Sequence, residues 1–174
     1  MKKVAISACL LGENVRYDGS NKANKQIIDL IKNHNIISIC PEKILKIPHS
    51  PIEIRNNHAI NKDNEDLTDI LTRSCLKEFE RIKDCDFAIL KSKSPTCGYK
   101  KIYDGSFSNS LIDGNGLFTK LLLENNIKVF TENQIEELKK NMTKSELKEF
   151  NKRQEAAERD KFWDAMIMAE FLDD

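Results

Sequence analysis

Four short apolar runs, each cut off by a turn signal, constrain this chain more than any other feature. Residues 4–11 (VAISACLL) end at Gly12, residues 36–40 (IISIC) stop at Pro41, residues 87–90 (FAIL) give way to KSKSPTCG, and residues 127–130 (IKVF) lead into Thr131. Short aliphatic runs bounded by Gly, Pro and polar clusters read as buried strands. Helix-length segments lie between them. Residues 25–34 repeat apolar side chains at Ile27, Ile28, Leu30 and Ile31, and residues 66–83 keep three-and-four spacing through Leu67, Ile70, Leu71, Cys75, Phe79 and Ile82. Residues 117–124, following DGNG, read as a third helix. Strands alternating with helices predict an α/β fold: a Rossmann-like three-layer domain with a mainly parallel sheet and right-handed crossovers.

Two stretches fall outside that pattern. Residues 42–64 hold two of the four prolines and two of the three histidines, and read as an irregular excursion. After Thr131 the chain turns charged and helical: TKSE at residues 143–146 fits a capping box, and apolar positions are scattered at Phe150, Trp163, Met166, Ile167 and Phe171 as far as Leu172. The expected division is an α/β domain over residues 1–135 and a helical C-terminal extension over residues 136–174, which packs on that domain or on a second copy in a homodimer.

Composition narrows the function. A length of 174 residues, 40% hydrophobic and 32% charged, supports one core of ordinary size. The formal net charge of zero leaves no footprint of a general nucleic-acid binder, so a tRNA partner has no support from charge. No apolar run approaches the roughly 18 residues of a membrane span. Lys2-Lys3 and the apolar residues up to Cys9 superficially resemble a lipoprotein signal, but the run is shorter than the roughly 7–15 residues such a signal needs. The expected location is cytoplasmic. Five cysteines, an odd number at irregular spacing, argue against a disulfide framework and leave reduced thiols or metal ligands.

The fold sorts those cysteines. Ligands of open parallel sheets bind outside the carboxyl ends of the strands. Cys9 near the end of the first predicted strand, Cys40 at the end of the second and Cys97 in the loop after the third can reach that edge, whereas Cys75 lies on a helix face and Cys85 at the start of a strand, where both read as structural thiols. With neighbouring strands about 4.8 Å apart, three strand ends can bring three sulfurs to one metal centre. Such a set suits zinc, with His49 or His58 as a fourth ligand, or an iron–sulfur cluster; the alternative is three unrelated buried thiols.

The blocks SACLLGENVRYDG, ICPE, KSKSPTCG, KIYDGSF and DGNGLFTKLL followed by IKVFTE resemble, in this order, those of the thiouracil desulfurase family. The resemblance covers residues 2–132. It implies a 4Fe-4S cluster on Cys9, Cys40 and Cys97, with one iron open to the sulfur of a thiolated pyrimidine, and desulfuration of 2-thiouracil or thiouridine without net redox change. By the same carry-over Glu42 and Ser94 match polar positions near the open iron, as base or proton relay and as hydrogen-bond donor. Arg16, Asp18 and Lys91 are candidate contacts to a pyrimidine edge or a phosphate. One block departs: residues 44–50 (ILKIPHS) stand where family members often carry a Gly-Gly-Leu-Pro and Arg-bearing stretch, which bears on substrate identity. A zinc-dependent hydrolase using the same thiolates and a non-catalytic binding module are the competing classes.

Overall fold

The computed structural model of the protein describes residues 1–170. In chain order its elements are β1 (Lys3–Ser7), a 3-10 turn (Ala8–Leu11), α1 (Lys25–Ile31), β2 (Asn35–Ile39), a second 3-10 turn (Pro41–Ile44), β3 (Ile52–Arg55), β4 (His58–Asn61), α2 (Thr68–Ile82), β5 (Phe87–Leu90), β6 (Lys101–Tyr103), β7 (Leu111–Asp113), α3 (Leu117–Glu124), β8 (Lys128–Thr131), α4 (Ile135–Lys139) and α5 (Lys144–Glu170). They form two compact units, residues 1–135 and the chain from residue 136 onward.

The first unit is built on a four-stranded sheet in the order β2-β1-β5-β8, and every pairing in it is parallel. The two central strands are the most apolar because both their faces are covered: Val4, Ala5, Ile6, Ala88, Ile89 and Leu90 have no exposed surface. Cys75 and Ile82 of α2 and Phe118 and Leu122 of α3 share one core with Ala5, Ala88 and Leu90. This is the parallel α/β architecture that the alternating pattern predicts.

Two expectations need correction. The run at residues 4–11 is not one strand: β1 ends at Ser7, the last residue paired with β2, and the chain coils into a 3-10 turn carrying Cys9. Ala8, Cys9 and Leu10 remain buried, so their apolar character reports burial rather than strand. Nor is the segment at residues 42–64 irregular throughout. It contains the hairpin β3–β4, with Ile54 opposite Ala59, turned by Asn56 and Asn57 at φ 49° and 67°. Both turn residues are left-handed, as tight hairpins demand and Asn tolerates. Ile52, Ile54 and Ala59 pack with Leu71 and Ile102 into a small second core.

In the second unit the capping box at the start of α5 forms as expected: the Thr143 N–H donates to the Glu146 carboxylate at 2.6 Å, and the Glu146 N–H donates to Thr143 Oγ1 at 3.2 Å. Trp163 and Met166 are exposed on α5; Phe171, Leu172 and the side chain of Ile167 lie outside the described residues. Among the described residues, no helix is long and apolar enough to cross a membrane.

Candidate active site

From β1 the chain moves outward to β2, then returns to the other side of β1 for β5 and continues to β8. The direction of winding therefore reverses between β1 and β5, and the carboxyl ends of these two strands diverge around a crevice. A cavity of about 690 Å³ opens there. All four strands reach it just past their ends: β1 with Ser7 and Cys9, β2 with Cys40 and Glu42, β5 with Lys91 and the loop to Cys97, and β8 with Glu132.

Each cysteine on this cavity is held by its own turn. The Cys9 carbonyl accepts the N–H groups of Gly12 at 3.3 Å and Lys22 at 2.9 Å, closing the turn and tying it to the following loop. Cys40 leaves β2 in extended conformation and opens the turn at Pro41–Ile44, its carbonyl accepting from the Lys43 N–H at 3.1 Å. The Cys97 N–H donates to Ser94 Oγ at 3.0 Å, and the Cys97 carbonyl accepts from Thr119 Oγ1 at 2.9 Å. Behind that loop, the N–H groups of Leu117 and Phe118, at the start of α3, donate to the carbonyls of Pro95 and Thr96 at 3.0 and 2.9 Å. Gly116 permits the approach, since a Cβ there would lie 2.4 Å from the Thr96 carbonyl.

Burial dominates the electrostatics of the three thiols. It pushes Cys9 up to about 11, against the pull of Arg16 and Lys91. It pushes Cys40 up to about 12, with the nearby Glu42 adding to the rise. Burial also raises Cys97 well above the ordinary thiol range, opposed by a hydrogen bond with Ser7. Charge on Cys9 raises Cys40 and charge on Cys40 raises Cys97, as adjacent thiols require. Buried thiols that raise one another in this way would give up their protons to solvent when a cationic metal group binds the thiolates and offsets the cost of their charge. Three thiols on one cavity are the kind of donor set that an iron–sulfur cluster would take, each cysteine on a different iron. A single zinc needs all its sulfur ligands about 2.3 Å from one point; among the described residues no three His, Cys, Asp or Glu side chains converge that closely. Cys75 is buried in the core and Cys85 is half-buried ahead of β5; neither lines the cavity.

Beside Cys97 lies a polar knot. Glu42 Oε1 accepts hydrogen bonds from Ser94 Oγ at 3.2 Å and Thr96 Oγ1 at 2.7 Å, and the two hydroxyls are 3.1 Å apart. Thr96 Oγ1 is also 3.7 Å from Cys97 Sγ. Lys91 lines the cavity but is engaged: its ammonium pairs with Glu132, which also accepts from the Ser92 N–H at 2.8 Å and the Ser92 hydroxyl at 2.7 Å. Burial pushes the Glu132 carboxyl up, but the hydrogen bonds from Lys91 and Ser92 outweigh it and hold it below the usual range.

Arg16 reaches the cavity and Asp18 does not. The Asp18 carboxylate instead accepts from the N–H and hydroxyl of Ser20 in its own turn, 3.8 Å from the Arg16 Nε. His49 and His58 also lie off the cavity: His49 Nδ1 contacts the Ser50 carbonyl and His58 pairs with Asp66. Sequence reasoning missed Thr96, Glu132 and the wall residues Tyr103 and Phe107. The carboxyl-end rule applied to the fourth strand would have found Glu132, which directly follows Thr131.

Residues 4–134 match the family model described as 2-thiouracil desulfurase. The protein YbbK of Bacillus subtilis (strain 168), described as uncharacterized, is 30% identical over 149 residues, covering 78% of this chain and 99% of YbbK. A solved structure of a 4Fe-4S-dependent thiouracil desulfidase, TudS, superposes with a TM-score of 0.73 at 34% identity, covering 79% of this chain and 95% of that one.

Proposed function

Since the chain belongs to the 2-thiouracil desulfurase family, we propose that it replaces the sulfur of a thiolated pyrimidine, 2-thiouracil or a thiouridine, by oxygen, using a 4Fe-4S cluster on Cys9, Cys40 and Cys97. The observation that carries this reading is the meeting of three cysteines from three strand ends on one cavity beside a hydroxyl-bound glutamate. When bound by three cysteines, such a cluster offers one iron without a protein ligand, a soft Lewis acid for a thiocarbonyl sulfur. The exchange converts C=S and water into C=O and hydrogen sulfide, so no electron is needed from outside.

The protein's own groups supply the rest. Ser94 and Thr96 fix the Glu42 carboxylate at the cavity wall, where it takes a proton from the attacking water as the new C–O bond forms and returns one to the departing sulfur. Ser94 lies within reach of the same carboxylate oxygen and passes that proton or donates a hydrogen bond to the substrate. Arg16 and Lys91 present cations to the electron-rich edge of the ring, Lys91 held in place by Glu132 and Arg16 steered by Asp18. Five free thiols suit the reducing cytoplasm as its place of work.

Anaerobic reconstitution with iron and sulfide, followed by incubation with 2-thiouracil in the absence of any electron donor, tests the reading. The expected products are uracil and sulfide in equal amounts, formed only by the brown reconstituted protein. Equal turnover by protein loaded with zinc alone would overturn it.

A further inference from the structure

Part of the cavity wall comes from no strand of the central sheet. Tyr103 at the end of β6 and Phe107 and Asn109 in the loop to β7 line it. That loop, residues 104–110, reads DGSFSNS; Phe107 is its one large apolar side chain, and it stays half-exposed where a core was available nearby. Its backbone is left-handed at φ 58°, a conformation that is rare and strained for a bulky residue and persists only where the surroundings over-determine it.

The surroundings here are specific. Glu53 of β3 is buried, and its Oε2 accepts the N–H groups of Gly105 and Phe107, each at 2.9 Å. Arg55, two residues along the same strand, donates from Nε at 3.1 Å and Nη2 at 2.7 Å to the Gly105 carbonyl. Gly105 itself has φ +83°, and a Cβ there would lie 2.5 Å from the Arg55 Cβ. Outside these contacts, hydroxyls brace the loop: Ser106 Oγ lies 2.6 Å from Ser108 Oγ, which lies 2.9 Å from Ser110 Oγ. A buried carboxylate and a guanidinium thus hold a strained aromatic ring on the cavity rather than in the core.

We propose that Phe107 is the residue that binds the flat face of the substrate ring, and that Glu53 is its positioning residue. The identity of that ring rests on the pyrimidine reading above; the preset aromatic wall does not. Stacking on an aromatic face suits any pyrimidine regardless of its exocyclic atoms, so substrate and product both meet it. Removing it therefore acts on binding, in KM rather than kcat.

The test uses reconstituted holoenzyme, with uracil affinity read by calorimetry and 2-thiouracil turnover read by sulfide release. Phe107→Ala and Phe107→Leu are expected to weaken uracil binding and raise KM roughly tenfold, with cluster absorption and melting temperature kept. Phe107→Tyr restores both constants. Glu53→Ala, which frees the loop, follows Phe107→Ala in KM, whereas Glu53→Gln, still offering an oxygen to both N–H groups, stays nearer the wild type. Uracil affinity and KM unchanged in Phe107→Ala and Phe107→Leu, with turnover intact, overturn this inference and leave desulfuration standing. Uracil binding that depends on Phe107 in a protein that releases no sulfide supports the wall and removes the desulfuration reading. Failure of both readouts in the wild type overturns both.

Discussion

Glu42 holds its place at the cavity wall through two hydroxyls that approach one of its oxygens, Thr96 at 2.7 Å and Ser94 at 3.2 Å, and Ser94 in turn receives the N–H of Cys97. The proposed proton carrier and a proposed ligand are therefore fixed by one side chain. Replacing Glu42 by Gln keeps the shape but removes the proton acceptor, and is expected to lower kcat by about a hundredfold or more with the cluster absorption unchanged; a parallel loss of absorption would make Glu42 structural instead. The cysteines divide in the same assay. Cys9→Ala, Cys40→Ala and Cys97→Ala are expected to reconstitute without the brown chromophore, while Cys75→Ala, in the core but not on the cavity lining, keeps it at a cost of about 1 kcal/mol in stability. Colour lost in Cys75→Ala alone, with the other three coloured, would reverse the assignment.

At the scale of elements, α3 backs the Cys97 loop, and the hairpin β3–β4 lines a part of the cavity that the strand ends do not. The start of α3 closes on the Cys97 loop at Gly116, whose backbone φ of −65° suits any residue but whose Cβ would strike the Thr96 carbonyl at 2.4 Å. Gly116→Ala is thus a purely steric change, expected to cost about 1–3 kcal/mol in a denaturant titration and to speed loss of the cluster in air. The α2 end of the hairpin carries a pH signature. Hydrogen bonds from Thr68, first through its hydroxyl and then its N–H, and from His58 hold the exposed Asp66 carboxyl down to about 2. A depressed carboxyl stabilises the fold above its unfolded value near 3.9 and loses that contribution as pH falls toward 2. Asp66→Ala is expected to melt below the wild type at pH 6, with the gap closing as pH falls through about 2; a gap that persists undiminished in acid would show that the ion's charge is irrelevant. Helices α2 and α3 were legible because their apolar spacing is helical, and α3 spans the segment read from the sequence. The hairpin was not, because its turn is Asn-Asn rather than the more telling Asn-Gly, and its pairing with residues 104–110 is long-range.

For the whole molecule, the parallel sheet is written in the alternation of runs and helix-length gaps, and the carboxyl-end rule singles out Cys9, Cys40 and Cys97, which line the cavity. What the linear order concealed is which polar groups turn inward: Asp18 stays in its own turn with Ser20, while Glu132, unremarkable after Thr131, locks Lys91 across 41 positions of chain. Three protein ligands to four irons would leave one iron distinct from the rest. Reconstitution with isotopically enriched iron, read by Mössbauer spectroscopy with and without 2-thiouracil, tests that directly. The predicted spectrum separates one iron from the other three, and only that minor component shifts when 2-thiouracil is added. Four equivalent irons, or a minor component indifferent to 2-thiouracil, would contradict it.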